Sequence, residues 1–238
     1  MTGAHPSERT TLLVTGANRG IGLELVRQAL ARGDRVFATC RDPDAASDLT
    51  ALGTQHRDTL SIQQLDVSSD ASVAAMAEGL GASRIDVLVN NAGIYGGERQ
   101  QRANMDHDAW ADAFAVNAMA PLRVAHAVMP CLRRSERPRI VTLTSIMGSM
   151  QNVGSINYAY SSSKAAANKV MTLLAQELRP EGIVVVPVHP GWVRTDMGGP
   201  GADLSAEQSA RGLLAVIDGL TSERSGRFLS WDGSELPW

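Results

Sequence analysis

A tyrosine and a lysine stand four positions apart in the stretch Tyr160-Ser-Ser-Ser-Lys164. In a helical run from 157 to 179, that spacing puts both side chains on one face. An ammonium beside a phenol favours the phenolate and lowers the tyrosine pKa from its usual value of about 10. A tyrosine so placed gives or takes a proton near neutral pH. The same two residues also fit a surface helix, so the weight of the pair depends on what else the chain carries.

The first companion is TGANRGIG at 15–22, between a short apolar run at 10–14 and the helical pattern Leu23, Val26, Leu30. Glycines at 16, 20 and 22 let the backbone turn sharply and let a phosphate approach main-chain N–H groups at a helix start. The second strand, 34–40, decides which dinucleotide suits the turn. An acidic residue at its end would bind the ribose hydroxyls of NAD, whereas arginine accepts a 2′-phosphate. The strand runs into Arg41, and Arg19 in the glycine turn can reach the same place, which favours NADP(H) over NAD(H). Asp42-Pro43 has the form of an N-cap with proline at the first helical position, opening a helix over 43–52.

Further polar residues fall at strand ends, where folds of this kind bind ligands. Asp66-Val67 follows the third strand; Asp66 either meets an adenine amino group or helps cap the next helix with Ser68, Ser69 and Asp70. The apolar fourth strand, 85–89, runs into Asn90-Asn91-Ala92-Gly93, which is either a cofactor-lining turn or an ordinary one. Asn117 is a lone amide within a long helical segment at 110–132; it is exposed, tied to a backbone carbonyl, or placed at a kink that opens a water site. Ser145 ends the fifth strand without a G-x-S-x-G elbow, so it is no acyl-transfer nucleophile. The sixth strand, 183–188, leads into His189-Pro190-Gly191-Trp192-Val193-Arg194-Thr195; His189, just inside a strand end, is read as structural.

These positions need a frame. At 238 residues the chain suits one α/β domain with a sizeable core. Apolar residues make up 44% and charged residues 20%, with a net charge of −3 and no dense basic tract, which argues against nucleic-acid binding. Two cysteines, Cys40 and Cys131, form no metal-ligand spacing with the five histidines, so no metal is expected. No apolar run reaches membrane-spanning length and no signal peptide is seen, so the cytoplasm is the expected location. Ser205-Ala-Glu-Gln208 predicts a capped helix to about 220, and a short last strand falls at 226–231. The Gly/Pro-rich stretch from 198, extending to 210, is expected to act as a mobile substrate lid.

With TGANRGIG, DV at 66–67, NNAG at 90–93, Asn117, Ser145, Tyr160-x-x-x-Lys164 and PG at 190–191 in this order, the chain resembles the short-chain dehydrogenase/reductase family. CRDP at 40–43 and the ending HPGWVRTDMGG with GRFLSWDGSELPW resemble its C-factor and sniffer carbonyl-reductase branch. The resemblance implies a doubly wound, Rossmann-like α/β fold. Seven mostly parallel strands would lie in the order 3-2-1-4-5-6-7, with helices on both faces.

It also implies a tetrad of Asn117, Ser145, Tyr160 and Lys164. Tyr160 would donate a proton to a carbonyl and Ser145 would orient its oxygen. Lys164 would lower the tyrosine pKa and hold the nicotinamide ribose, and Asn117 would hold a water. The implied cofactor set is Gly16, Asn18, Arg19, Gly20, Ile21, Gly22, Arg41, Asp66, Val67, Asn91, Ala92, Gly93, Pro190, Gly191, Val193 and Thr195, with Tyr160 and Lys164. Tyr95, Met147, Tyr158, Trp192 and Met197 would line a substrate pocket.

One departure stands out. The family's usual serine-to-tyrosine spacing, counted from Ser145, lands on Tyr158, which has Ser162 and not lysine four positions on. Tyr160 is therefore taken, with two extra residues in the 146–157 loop. The expected activity is NADPH-dependent reduction of small or lipophilic aldehydes and ketones. The alternatives are an NAD-linked alcohol dehydrogenase, an acyl-carrier-protein-linked oxoacyl reductase, or a signalling protein with incidental turnover. The resemblance also implies pairing through helices at 105–132 and 158–179, and so a homodimer or tetramer.

Overall fold

The computed structural model describes residues 9–151 and 156–238. Among them, β1 (Thr11–Val14), β2 (Arg35–Cys40), β3 (Leu60–Gln64), β4 (Val87–Asn90), β5 (Arg139–Leu143), β6 (Val184–His189) and β7 (Leu229–Ser230) form one sheet. Its order is β3-β2-β1-β4-β5-β6-β7, and every neighbouring pair is parallel. This is the expected doubly wound α/β architecture.

Strand alternation sorts the apolar side chains onto two faces. Val14, Val89, Val141 and Val186 join one core, packed under α1 (Gly20–Ala31), α2 (Ser47–Gln55) and α7 (Ala206–Asp218). Leu13, Leu88, Ile140 and Val185 join the other, under α3 (Asp70–Leu80), α5 (Ala120–Leu132) and α6 (Tyr158–Leu178). The central strands are therefore covered on both sides, and their carboxyl ends share one rim. No helix among the described residues is long and apolar enough to cross a membrane.

Local chemistry sets several boundaries. Ser69 caps α3, accepting from the Ser72 amide, and Ser205 with Gln208 forms the capping box of α7. The helix placed over 43–52 starts later, at Ser47. The Asp42 carboxylate accepts from the amides of Asp44 and Ala45, each at 3.1 Å, and so closes a turn rather than opening the helix. The long segment at 110–132 is not one helix. It is α4 (His107–Phe114), a π-helical turn (Ala115–Met119) and α5.

Gly212, inside α7, shows how closely that helix sits on the chain after β7. A Cβ there would lie 2.5 Å from the Trp231 carbonyl oxygen. Alanine gains up to about 1 kcal/mol of helix propensity over glycine, but overpacking against backbone costs about 1–3 kcal/mol. Gly212→Ala should therefore be destabilising, lowering the urea midpoint with an unchanged slope. A higher midpoint would show that α7 stands off from Trp231.

Candidate active site

α6 carries the tyrosine and the lysine onto the rim. Lys164 is buried, 5% exposed, and its Nζ donates to the Leu143 carbonyl at the end of β5, 2.8 Å away. The same Nζ lies 5.7 Å from the Tyr160 ring centroid. The Tyr160 hydroxyl is hydrogen-bonded to Ser145, whose Oγ also accepts from the Met147 amide at 3.1 Å. Tyr160, not Tyr158, thus faces serine and lysine together; Tyr158 is an exposed side chain at the start of α6.

The electrostatics differ from the sequence expectation. Burial pushes the Tyr160 phenol above its usual pKa, outweighing the opposing hydrogen bond from Ser145. The ammonium bonds to a carbonyl and sits by the ring face, so the expected lowering is not found here. Burial also brings Lys164 down from 10.5 to about 8. At neutral pH this leaves a protonated phenol beside a still cationic lysine.

Asn117 lies in the π-turn, 1% exposed. Its Oδ1 accepts from the Ile94 amide at 2.9 Å and its Nδ2 donates to the Ile94 carbonyl at 2.8 Å. Nδ2 also donates to Ser163 Oγ at 3.0 Å, and Ser163 in turn donates to the Tyr160 carbonyl. Of the readings open in the sequence, the backbone-tied amide is the one observed. The turn that houses it is π-helical, a feature frequent at functional sites. Gly93 fits beside it: a Cβ there would meet Asn117 Oδ1 at 3.2 Å and Lys164 Nζ at 3.4 Å.

On the other side of the rim, Gly16 and Gly20 have φ of +64° and +56°, values that favour glycine. Thr15 Oγ1 accepts from the amides of Asn91 and Ala92, and Asn91 Nδ2 donates to the carbonyls of Thr15 and Gly16. Asn90 links β4 to β5 through Thr142 Oγ1 and reaches the Pro121 carbonyl. Side chains cap α3, α4 and α7, but α1 has no side-chain cap and no acid in its first turn. Its first-turn N–H groups follow the glycine turn at the carboxyl end of β1.

Asp66 is freed from helix capping by Ser69. Hydrogen bonds from Ser68 hold its carboxyl below the usual range, helped by the charges of Arg41 and Arg123. Val67 is buried beside it, and Arg41 is exposed. Arg19 Nη1 is paired with Asp196 Oδ2 at 2.5 Å. Thr195 Oγ1 accepts from the Gly198 amide, and Gly191 has φ of +86°.

Of the expected pocket residues, Tyr95 lies against Tyr160 with ring centroids 5.2 Å apart. Met147 follows Ser145 in a short 3-10 turn, and Trp192 and Met197 expose apolar surface on the loop after β6. Trp192 Nε1 donates to the Gly198 carbonyl. Arg194 ties this loop together by donating to the carbonyls of Ala202 and Asp203. Residues 206–210 lie in the first turns of α7, so the lid reading concerns the loop before Ser205. The two extra residues were inferred for the 146–157 loop, of which 152–155 lie outside the described residues. His189 Nδ1 is buried without a hydrogen-bond partner among the described residues, and burial lowers the imidazole to about 4, so it stays neutral at pH 7.

One residue escaped the sequence reading. Gln100, 1% exposed, donates through Nε2 to the carbonyls of Tyr95 and Gly97 and accepts through Oε1 from the Tyr160 amide at 2.9 Å. Asn157 provides no side-chain cap for α6, so Gln100 does it from a distance. It lies in a polar loop that bears no local capping signature, and Asn157, a residue type favoured at helix starts, gave no sign that a distant partner was needed.

The comparisons with known proteins can be set beside this geometry. The family model for short chain dehydrogenases matches residues 10–203. The chain belongs to the short-chain dehydrogenase family. It is an oxidoreductase of that family, in its C-factor and sniffer-like branch. The C-signal protein of Myxococcus xanthus is 47% identical over 165 residues, 69% of this chain and 99% of that protein. Two solved structures of carbonyl reductases each match 97% of the chain and 100% of their own. The NADPH-bound enzyme from chicken fatty liver has a TM-score of 0.91 at 35% identity, and Sniffer of D. melanogaster 0.92 at 30%.

The Gln100 network yields a prediction. Gln100→Leu leaves two carbonyls and the Tyr160 amide without partners, at about 1–3 kcal/mol for each buried group left bare. The melting temperature should fall, and that of Gln100→Glu, which sets a buried carboxylate against the same two carbonyls, should also fall at neutral pH. Equal melting temperatures for Gln100→Leu and the parent protein would remove Gln100 from this role.

Proposed function

We propose that this short-chain dehydrogenase reduces the carbonyl group of aldehydes or ketones to an alcohol, with NADPH as its cofactor. The observation that carries the reading is the cluster of Ser145, a protonated Tyr160 and a buried cationic Lys164 on the rim that also holds the glycine turn.

The residues present fit the cofactor. The uncapped start of α1 and the backbone of Gly16, Gly20 and Gly22 would receive the diphosphate. Side chains at these glycines would break the cradle they form: a Cβ on Gly22 would stand 2.4 Å from Asn91 Nδ2 and 2.5 Å from the Gly16 carbonyl oxygen, and one on Gly16 2.9 Å from the Ala92 Cα. Arg19 and Arg41 would receive the 2′-phosphate, and Asp66 the adenine amino group. Asn91, Ala92 and Gly93 would line the middle of the site, and Pro190, Gly191, Val193 and Thr195 the nicotinamide end. The related carbonyl reductases from chicken fatty liver and from Pseudomonas aeruginosa bind NADPH and NADP, which supports the same cofactor here.

When bound, the nicotinamide supplies the hydride. The protein's own work is orientation and proton delivery. Ser145 and Tyr160 would both donate hydrogen bonds to the substrate oxygen, which polarises the carbonyl and fixes its face. Tyr160 would then give its proton to the oxygen as negative charge develops there. Lys164 would stabilise the phenolate left behind and bind the ribose, and Asn117 would keep the lysine's path to solvent. Tyr95, Met147, Tyr158, Trp192 and Met197 give the mouth an apolar lining, which suits a lipophilic substrate. Met119 and Leu173, exposed apolar residues on the π-turn and α6, support pairing of copies through these helices.

A second reading rests on the relatedness to the C-signal protein: a signalling role in which turnover is incidental. Tyr160→Phe separates the two. The reductase reading expects kcat/KM for NADPH-dependent carbonyl reduction to fall by about 10²–10⁴-fold, with NADPH still bound. A biological activity that survived the substitution would favour signalling.

The direction of proton transfer adds a pH signature. Lys164 is cationic below about 8 and loses its charge above, and the phenol must be protonated to donate. Reduction should therefore decline as pH rises through about 8, while alcohol oxidation should gain. A flat reductive kcat/KM between pH 6 and 10 would contradict this assignment of Lys164.

A further inference from the structure

The loop after β6 reaches across the rim to the glycine turn. Thr195 Cγ2 lies 3.2 Å from where a Cβ on Gly20 would stand, and Asp196 takes the Arg19 guanidinium at 2.5 Å. Arg19 is the N-cap residue of α1, so it stands at the proposed diphosphate cradle. On the cofactor reading, one guanidinium would therefore face two anions: the Asp196 carboxylate and the phosphate of a dinucleotide.

The two partners differ in freedom. Asp196 is held in a tight turn, where the Gly199 amide donates to the Thr195 carbonyl at 2.9 Å and the Gly198 amide to Thr195 Oγ1 at 3.2 Å. Arg19 is a long side chain, and the paired side chains are 69% and 78% exposed. Such a pair is weak and salt-sensitive, holding its arginine by no more than about five-fold. A phosphate, with more charge and two oxygens for the guanidinium fork, displaces it.

We propose that Asp196 is a specificity-determining residue for the cofactor. It competes with the 2′-phosphate for Arg19 and holds the preference for NADPH over NADH below what the two arginines alone would give. The inference rests on the cofactor reading above. NADH and NADPH share the diphosphate, so repulsion between Asp196 and that part of the dinucleotide cancels in the ratio of their affinities. Direct repulsion of the 2′-phosphate by Asp196 does not cancel, but it needs no arginine and would persist in an Arg19→Met background, where competition for Arg19 is gone.

The test is a fluorescence titration of NADPH and NADH against the parent protein, Asp196→Asn, Arg19→Met and the double variant. Asp196→Asn should raise the NADPH preference by about two- to five-fold, the range a released exposed pair allows. That gain should shrink at high salt and vanish in the Arg19→Met background. An unchanged ratio in Asp196→Asn would overturn the proposal, and a reduced one would mean that Asp196 positions Arg19 for the phosphate instead. A parent protein that binds neither cofactor would overturn the cofactor reading itself, an outcome distinct from tight binding with an unmoved ratio.

Discussion

A buried ammonium with a carbonyl oxygen for its hydrogen-bond partner constrains the rest of the rim. Lys164 Nζ needs the Leu143 carbonyl, and that bond fixes α6 against the end of β5. Ser145 follows two residues after Leu143, so the same contact sets where serine meets tyrosine. The loop beyond it is pressed onto the helix: a Cβ on Gly148 would lie 2.7 Å from the Lys164 backbone carbon. Holding a charge there works against the fold. With a pKa of about 8 in place of 10.5, the folded chain binds fewer protons than the unfolded one between these values. Stability from this group thus rises with pH across that window, and below it the cost is complete, on the order of 3 kcal/mol.

The tyrosine obeys the same logic with the opposite sign. Burial disfavours its anion and keeps the proton on oxygen. Sequence spacing alone suggested an acidified phenol, since lysine and tyrosine share a helix face. The shared face brings the ammonium to the ring, 5.7 Å from its centre, while its hydrogen bond goes to the sheet. A site resting in its acid form is arranged to give a proton before it takes one.

Much of the frame was legible in the sequence. Continuous Val/Leu/Ile runs marked strands covered on both faces, and the Ser205–Gln208 capping box marked α7. The glycines at 16 and 20 announced themselves because their backbone angles suit few other residues. What escaped depended on contacts between distant segments. Gln100 caps a helix whose start lies almost 60 positions away, so no local pattern names it. Asp42-Pro43 carried a good local signal for a helix start, yet its carboxylate closed a turn instead. The placement of Asn117 was visible as an oddity, one amide in an apolar stretch, but the π-turn that houses it was not. Its bonds to Ile94 come from a loop beyond β4.

That π-turn also governs how the chain can change length. An α-helix advances about 100° per residue. Deleting any one residue of Ala115–Met119 would restore regular α geometry while rotating α4 by that angle relative to α5. Trp110 Nε1, which donates to Ser162 on α6, would swing off its partner, or Asn117 would leave Ile94. The segment can therefore exchange side chains far more readily than it can shed a residue. Its length is part of the site, as much as the identity of the asparagine within it.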